Sequence, residues 1–182
     1  MTKAETPLWR LIERENFTSR ERLADFLELS QNLREQIDFS PRFPIGIPER
    51  LSEAFLQILQ NSSKQVIFIL HCNHPRELDA EVLSALKNVQ KLGIPLLNQS
   101  VLLKGVNDNE ETLLALSEAL VERGIMPYYL HLLDLVEGSA YFWVSDERAK
   151  ALIQYLQEHN SGYAVPKLVR EMPGHPSKVA VI

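Results

Sequence analysis

The chain has 182 residues, 45% hydrophobic and 24% charged, with a formal net charge of −5, which suits one sizeable core, or one core with an added N-terminal segment, in an ordinary globular composition. The acidic balance argues against generic nucleic-acid or anionic-membrane binding, since both need a basic field. A single cysteine, Cys72, excludes an internal disulfide and any metal or cluster site built from several thiolates of this chain.

No apolar run reaches membrane-spanning length, and MTKAETPLWRLIE lacks the apolar stretch of a signal peptide, so a reducing, cytoplasmic setting is expected. Residues 1–38 read as helical and polar. Thr18 and Glu21 form a capping box ahead of Leu23, Phe26 and Leu27, predicting a helix over about residues 19–29. Trp9, Leu11 and Ile12 belong to an earlier short helix, and the segment reads as a packing arm. The prolines and glycine of FSPRFPIGIP (39–48) mark a boundary. The expected organisation is an N-terminal helical segment over 1–44 and an α/β domain over 45–182. Pro48 opens the next helix, with Leu51, Phe55, Ile58 and Leu59 on one face.

From Gln65 to Asp108 the hydrophobic period changes twice. Val66–Leu70 is a short β-branched apolar run, suited to a strand covered on both faces. Asp79 can cap a helix carrying Val82, Leu83, Leu86 and Val89, and Gly93 can stop it. Ile94–Leu103 is apolar again except for Asn98, Gln99 and Ser100. This is a β-α-β unit, whose strands should be parallel and joined by a right-handed crossover. Its polar residues, His71, Cys72, Asn73 and His74 at the end of the first strand and Asn98, Gln99 and Ser100 inside the second, sit where a buried strand should be apolar. The carboxyl ends of such strands carry chemistry, so a ligand site is expected there. The competing explanation is that these groups only satisfy loop backbone. A zinc site of His71, Cys72 and His74 is a third reading, weakened because strand alternation puts Cys72 and His74 on one face and His71 on the other.

Asp108 with Glu111 makes a second capping box before Leu113, Leu116 and Leu120, stopped by Gly124. A third strand over 126–133 ends at Asp134. After the loop 135–144, Ser145 caps a helix with Ala149, Leu152, Ile153 and Leu156. Residues 164–170 could form one more strand, and 179–182 are an apolar end. Between them MPGHPSK finishes on Lys178, a candidate for covalent chemistry or an ordinary surface lysine. Tyr128, Tyr129, Tyr141, Phe142 and Trp143 could wall a flat cofactor, although at least half are expected in the core. The fold class is α/β: a partial, open TIM-type β/α barrel with parallel strands and helices outside. Three or four units cannot close a barrel, so self-association or an open curved sheet is expected at the unpaired edge.

The strings HCNHPREL, LLNQSVLLKGVNDN, PYYLHLLDLVEGSAYF, and SGYAVPKLVRE followed by PSK resemble, in that order, the C-terminal half of the lysine 2,3-aminomutase family. The closer likeness is to the branch that makes (R)-β-lysine for elongation factor P, and it runs from about Arg42 to the C-terminus. The resemblance implies a radical S-adenosylmethionine barrel using a [4Fe-4S] cluster, S-adenosylmethionine and pyridoxal phosphate to move the α-amino group of lysine to its β-carbon. Lys178 matches the lysine that carries pyridoxal phosphate. Asp134 matches a carboxylate holding the ε-ammonium of the substrate, and Glu171 stands where the aminomutases have a second aspartate. Gln99 and His71 match positions near the cofactors. The family's CxxxCxxC is absent from this sequence. The N-terminal segment, which also looks like the start of the family, is joined near 39–44 to the latter half, so the chain reads as an internally deleted or remnant member. It would keep the substrate half and depend on a complementing half for turnover, or act as a non-catalytic binding module.

Overall fold

The computed structural model describes residues 36–39, 43–62, 65–134, 138–172, 174–175 and 177–181; the helices expected within 1–35 lie outside them. The chain divides into two compact units, Met1–Leu70 with Ala80–Leu96, and His71–Asp79 with Leu97–Ile182.

In the first unit, strand β1 (Gln36–Phe39) runs parallel to β2 (Gln65–Leu70), with Gln36 opposite Gln65 and Phe39 opposite Phe68. A strand at 36–39 corrects the helical reading of residues up to 38: local propensity is a weak prior, and a ladder against β2 overrides it. Helix α1 (Phe43–Gly46), a 3-10 turn (Pro48–Arg50) and helix α2 (Glu53–Gln60) follow. Pro48 therefore opens only the turn. The α-helix starts later, where the Ser52 side chain accepts the Phe55 amide at 3.3 Å, satisfying an otherwise orphan donor. The Phe43 and Phe55 rings meet edge to face at 5.6 Å. Helix α3 (Ala80–Lys91) begins directly after Asp79 and buries Val82, Leu86 and Val89. Gly93, at φ 74°, ends the turn after it, a conformation that favours glycine. The Phe68 amide then donates to the Pro95 carbonyl at 2.9 Å.

The second unit holds β3 (Leu96–Leu102, all but its first residue), α4 (Glu110–Val121), β4 (Ile125–Leu132), α5 (Asp146–His159), β5 (Lys167–Arg170) and β6 (Val179–Ala180). The strands neighbour one another in that order. β4 and β5 are parallel, with Tyr129 opposite Lys167; β6 is antiparallel to β5, with Arg170 opposite Val179. The tail thus turns back on itself, a departure from an all-parallel sheet, by way of Gly174 at φ 83°. The cap of α4 is Asn109, whose side chain accepts the Thr112 amide at 2.9 Å. Asp108, expected there, instead accepts the Gly105 amide at 2.8 Å and closes the preceding turn, the other local use of an aspartate side chain. Ser145 caps α5 as expected. Arg148 grips both carboxylate oxygens of Glu110 at 2.6 and 3.0 Å and the Asp108 carbonyl at 3.0 Å, tying the starts of α4 and α5 together. Beneath lies a core of Leu102, Leu113, Leu130, Leu132, Val144, Ala149, Leu152, Leu156 and Leu168. Among the described residues the architecture is α/β with mostly parallel strands in an open arrangement, β1 in the first unit and β6 in the second each having one strand neighbour.

Candidate functional site

Within the second unit, the segment after β2 is stitched to β3 by side chains. Asn98 Oδ1 accepts the Cys72 amide at 2.9 Å while its Nδ2 donates to the Cys72 carbonyl at 3.0 Å, and Ser100 Oγ donates to that same carbonyl at 2.7 Å. Asn73 Oδ1 accepts the Val101 amide at 2.7 Å. Asn107, fully buried, donates to the carbonyls of Asn73 and Val101, each at 2.9 Å, and accepts the Leu103 amide at 2.7 Å. Asn73, Asn98, Ser100 and Asn107 therefore satisfy backbone of the segment after β2 and of the end of β3.

Gln99 does something different. Its amide lies between two imidazoles, 3.0 Å from His71 Nε2 and 3.3 Å from Nε2 of His131 on β4. His131 shares a strand face with Tyr129, the rings 5.7 Å apart edge to face. The Lys178 amine lies 5.4 Å from the centre of the Tyr129 ring and 3.9 Å from Glu171 Oε1. Its side chain is 21% exposed, against 49% for Glu171. Burial first, then the positive charge of Lys178 and the neighbouring His71, pushes the His131 imidazole down to about 4.

Of the residues singled out from sequence, Lys178, Glu171, Gln99 and His71 join one polar cluster. Asp134 lies two residues beyond β4 with an exposed side chain, and its carbonyl accepts the Ser139 hydroxyl at 3.1 Å. His131 and Asn107 were missed. A histidine inside the apolar run MPYYLHLL was the available signal for His131, and Asn107 had none apart from its turn. The aromatic expectation is corrected: Tyr128 and Tyr129 are half-buried, and Tyr141, Phe142 and Trp143 are 81, 40 and 46% exposed. Tyr141 and Phe142 lie in a short 3-10 turn (Ala140–Phe142) that Trp143 caps, not in a core-facing strand.

The zinc reading also fails. The Cys72 thiol is fully buried and donates to the His74 carbonyl at 3.3 Å, His74 Nδ1 accepts the Arg76 amide at 3.1 Å, and His71 faces Gln99. Among the described residues no three His, Cys, Asp or Glu side chains gather to hold a metal ion. Burial, with the Glu77 carboxylate nearby, drives the Cys72 thiol up to about 12, which keeps it a thiol.

Among solved structures, the chain is similar to a radical SAM methyltransferase from Sphaerobacter thermophilus (TM-score 0.55, 19% identity, covering 74% of this chain and 40% of that one). It is also similar to a domain of a pyruvate-formate lyase-activating enzyme from Bacteroides vulgatus (TM-score 0.54, 15% identity, covering 94% of this chain and 97% of that one). These likenesses support the α/β fold. In sequence, the chain is 48% identical over 137 residues to L-lysine 2,3-aminomutase of Escherichia coli, covering 75% of this chain and 40% of that protein. It is 43% identical over 144 residues to that of Haemophilus influenzae (79% and 43%) and 35% identical over 148 residues to that of Methanococcus maripaludis (81% and 34%). No protein-family model matches the chain. The protein is a homologue of the L-lysine 2,3-aminomutases, and it spans about two fifths of the length of the first two of these relatives.

Proposed function

We propose that the chain is the lysine-handling, pyridoxal phosphate-carrying part of a lysine 2,3-aminomutase-like protein, within residues 45–182, and closest to the branch that supplies β-lysine to elongation factor P. The observation that carries this reading is the Lys178 side chain, four-fifths withdrawn from solvent, with its amine set against the Tyr129 ring and the Glu171 carboxylate. Lys178 suits the aldehyde of pyridoxal phosphate, because an amine is the group that captures an aldehyde covalently. When bound, that cofactor would supply the electron-withdrawing ring on which an amino group can migrate. Glu171, with Asp134, would fix the distal ammonium of lysine and so set which carbon of the substrate faces the reacting centre. The Tyr129 ring offers an apolar face to a flat cofactor.

An iron-sulfur cluster does not fit the residues of this chain. Its one cysteine is fully buried and engaged with a carbonyl, whereas such clusters need several thiolates. Radical turnover with S-adenosylmethionine would therefore depend on residues outside this sequence, supplied by a complementing half. Without them the chain is a binding module that covers its open edge by self-association. The preferred setting is the cytoplasm.

The test is reductive trapping. Purified chain mixed with pyridoxal phosphate and borohydride should gain one stable pyridoxyl group on the peptide containing Lys178, and Lys178→Ala should lose it. Labelling spread evenly over the exposed lysines, with no preference for Lys178, would end this reading.

A further inference from the structure

Gln99 is 6% exposed and bonds through both ends of its amide. Its oxygen faces His131 and its nitrogen faces His71. An amide oxygen only accepts, so Nε2 of His131 carries the hydrogen; an amide nitrogen only donates, so Nε2 of His71 carries a lone pair. This orientation assigns the two rings opposite tautomers, His131 with its lone pair on Nδ1 and His71 with its hydrogen there. Turning the amide over would exchange both at once, so one side chain couples the two rings.

We propose that His131, held through Gln99 by His71 as the neutral Nε2–H tautomer, is a positioning residue for the Lys178 amine, keeping an uncharged, hydrogen-bonded ring against the Tyr129 ring that the amine also approaches. The inference rests on Lys178 being the amine that matters in this site. The groups around His131 that carry or could carry charge are Lys178, with Glu171 behind it, His71 across Gln99, and Tyr129 on its own strand. An imidazolium among them would set a second cation against the Lys178 ammonium in a half-buried place, where charge is costly. Burial of His131 favours the neutral ring, which leaves the Glu171 carboxylate to orient the amine 3.9 Å away.

The experiment uses the full chain labelled with 15N-histidine, together with 13C-formaldehyde and cyanoborohydride as a probe of lysine reactivity. Nitrogen shifts should report His131 as Nε2–H and His71 as Nδ1–H, with His131 still neutral at pH 5. In Gln99→Leu the His131 shifts should move to a tautomer mixture. Labelling of Lys178, measured against exposed Lys150 in the same molecule, should fall at least threefold in Gln99→Leu and His131→Phe and stay within twofold of the native ratio in His131→Gln. His71→Asn, which removes the far ring only, supplies a second route to the same loss. The inference is overturned by His131 in the other tautomer, by unchanged shifts in Gln99→Leu, or by an unchanged labelling ratio in folded variants. Because formaldehyde needs no cofactor site, failure of pyridoxal phosphate trapping in the native chain would remove the functional reading and leave this result to stand or fall by itself.

Discussion

The His131 imidazole, lowered to about 4 by burial and by the charge of Lys178, makes stability depend on pH in a calculable direction. Below the ordinary histidine value near 6.5 the unfolded chain binds a proton there that the folded chain refuses. The folded state is thus unpenalised above about pH 6.5 and loses stability as pH falls toward 4, by up to about 3 kcal/mol in all. Urea denaturation of the native chain and His131→Gln between pH 7 and 4.5 should show the native protein losing stability faster as the pH drops. Parallel pH dependence in the two would mean that His131 takes up protons in the folded state as freely as in the unfolded one. The contrast with Cys72 is instructive. Both are polar groups near strand ends, Cys72 fully buried and His131 half-buried, but the thiol is spent on a carbonyl two residues away, while the imidazole faces an amide that bridges to another ring.

Among the elements, β3 does the most organising. A strand with three consecutive polar residues at 2, 6 and 5% exposure, Asn98, Gln99 and Ser100, would be destabilising if any of them lacked a partner. Alternation along the strand explains the division of labour. Asn98 and Ser100 point to one side and are joined by a 3.0 Å bond over the Cys72 carbonyl; Gln99 points to the other side and meets the histidines. Asn98→Leu would leave the Cys72 amide buried without its acceptor. It should cost about 2–3 kcal/mol, read as a lower denaturation midpoint, and should raise hydrogen exchange at the Cys72 amide. A loss under about 0.5 kcal/mol would show that water or Ser100 replaces it. Such residues can be read from sequence as out of place in a strand, but the sequence does not say that two of the three are structural.

For the whole molecule, the relation between parentage and activity is set by what the chain contains. It spans about two fifths of relatives named L-lysine 2,3-aminomutase, and its single cysteine cannot hold an iron-sulfur cluster. Incubation with lysine, S-adenosylmethionine, pyridoxal phosphate and reductant should therefore give no β-lysine by mass spectrometry, while Lys178 still captures the aldehyde. Any adenosylmethionine-dependent β-lysine formed by the purified chain would refute the argument from the thiolates. No described helix is long and apolar enough to cross a membrane.

Sequence alone determined the alternation of strands and helices, the Ser145 cap and the glycine stops, because hydrophobic period and capping chemistry act over a few residues; Glu171 was singled out only by family resemblance. It misjudged 36–39, the start of α2 and the cap of α4, where neighbouring residues compete for one role and packing chooses between them. That Lys178 folds back onto Tyr129 and Glu171, that His131 faces Gln99, and that Tyr141 stays in solvent were decided by the tertiary structure. Those contacts join residues seven to fifty apart in the chain, or depend on the absence of any surface to pack against, and no local pattern encodes either.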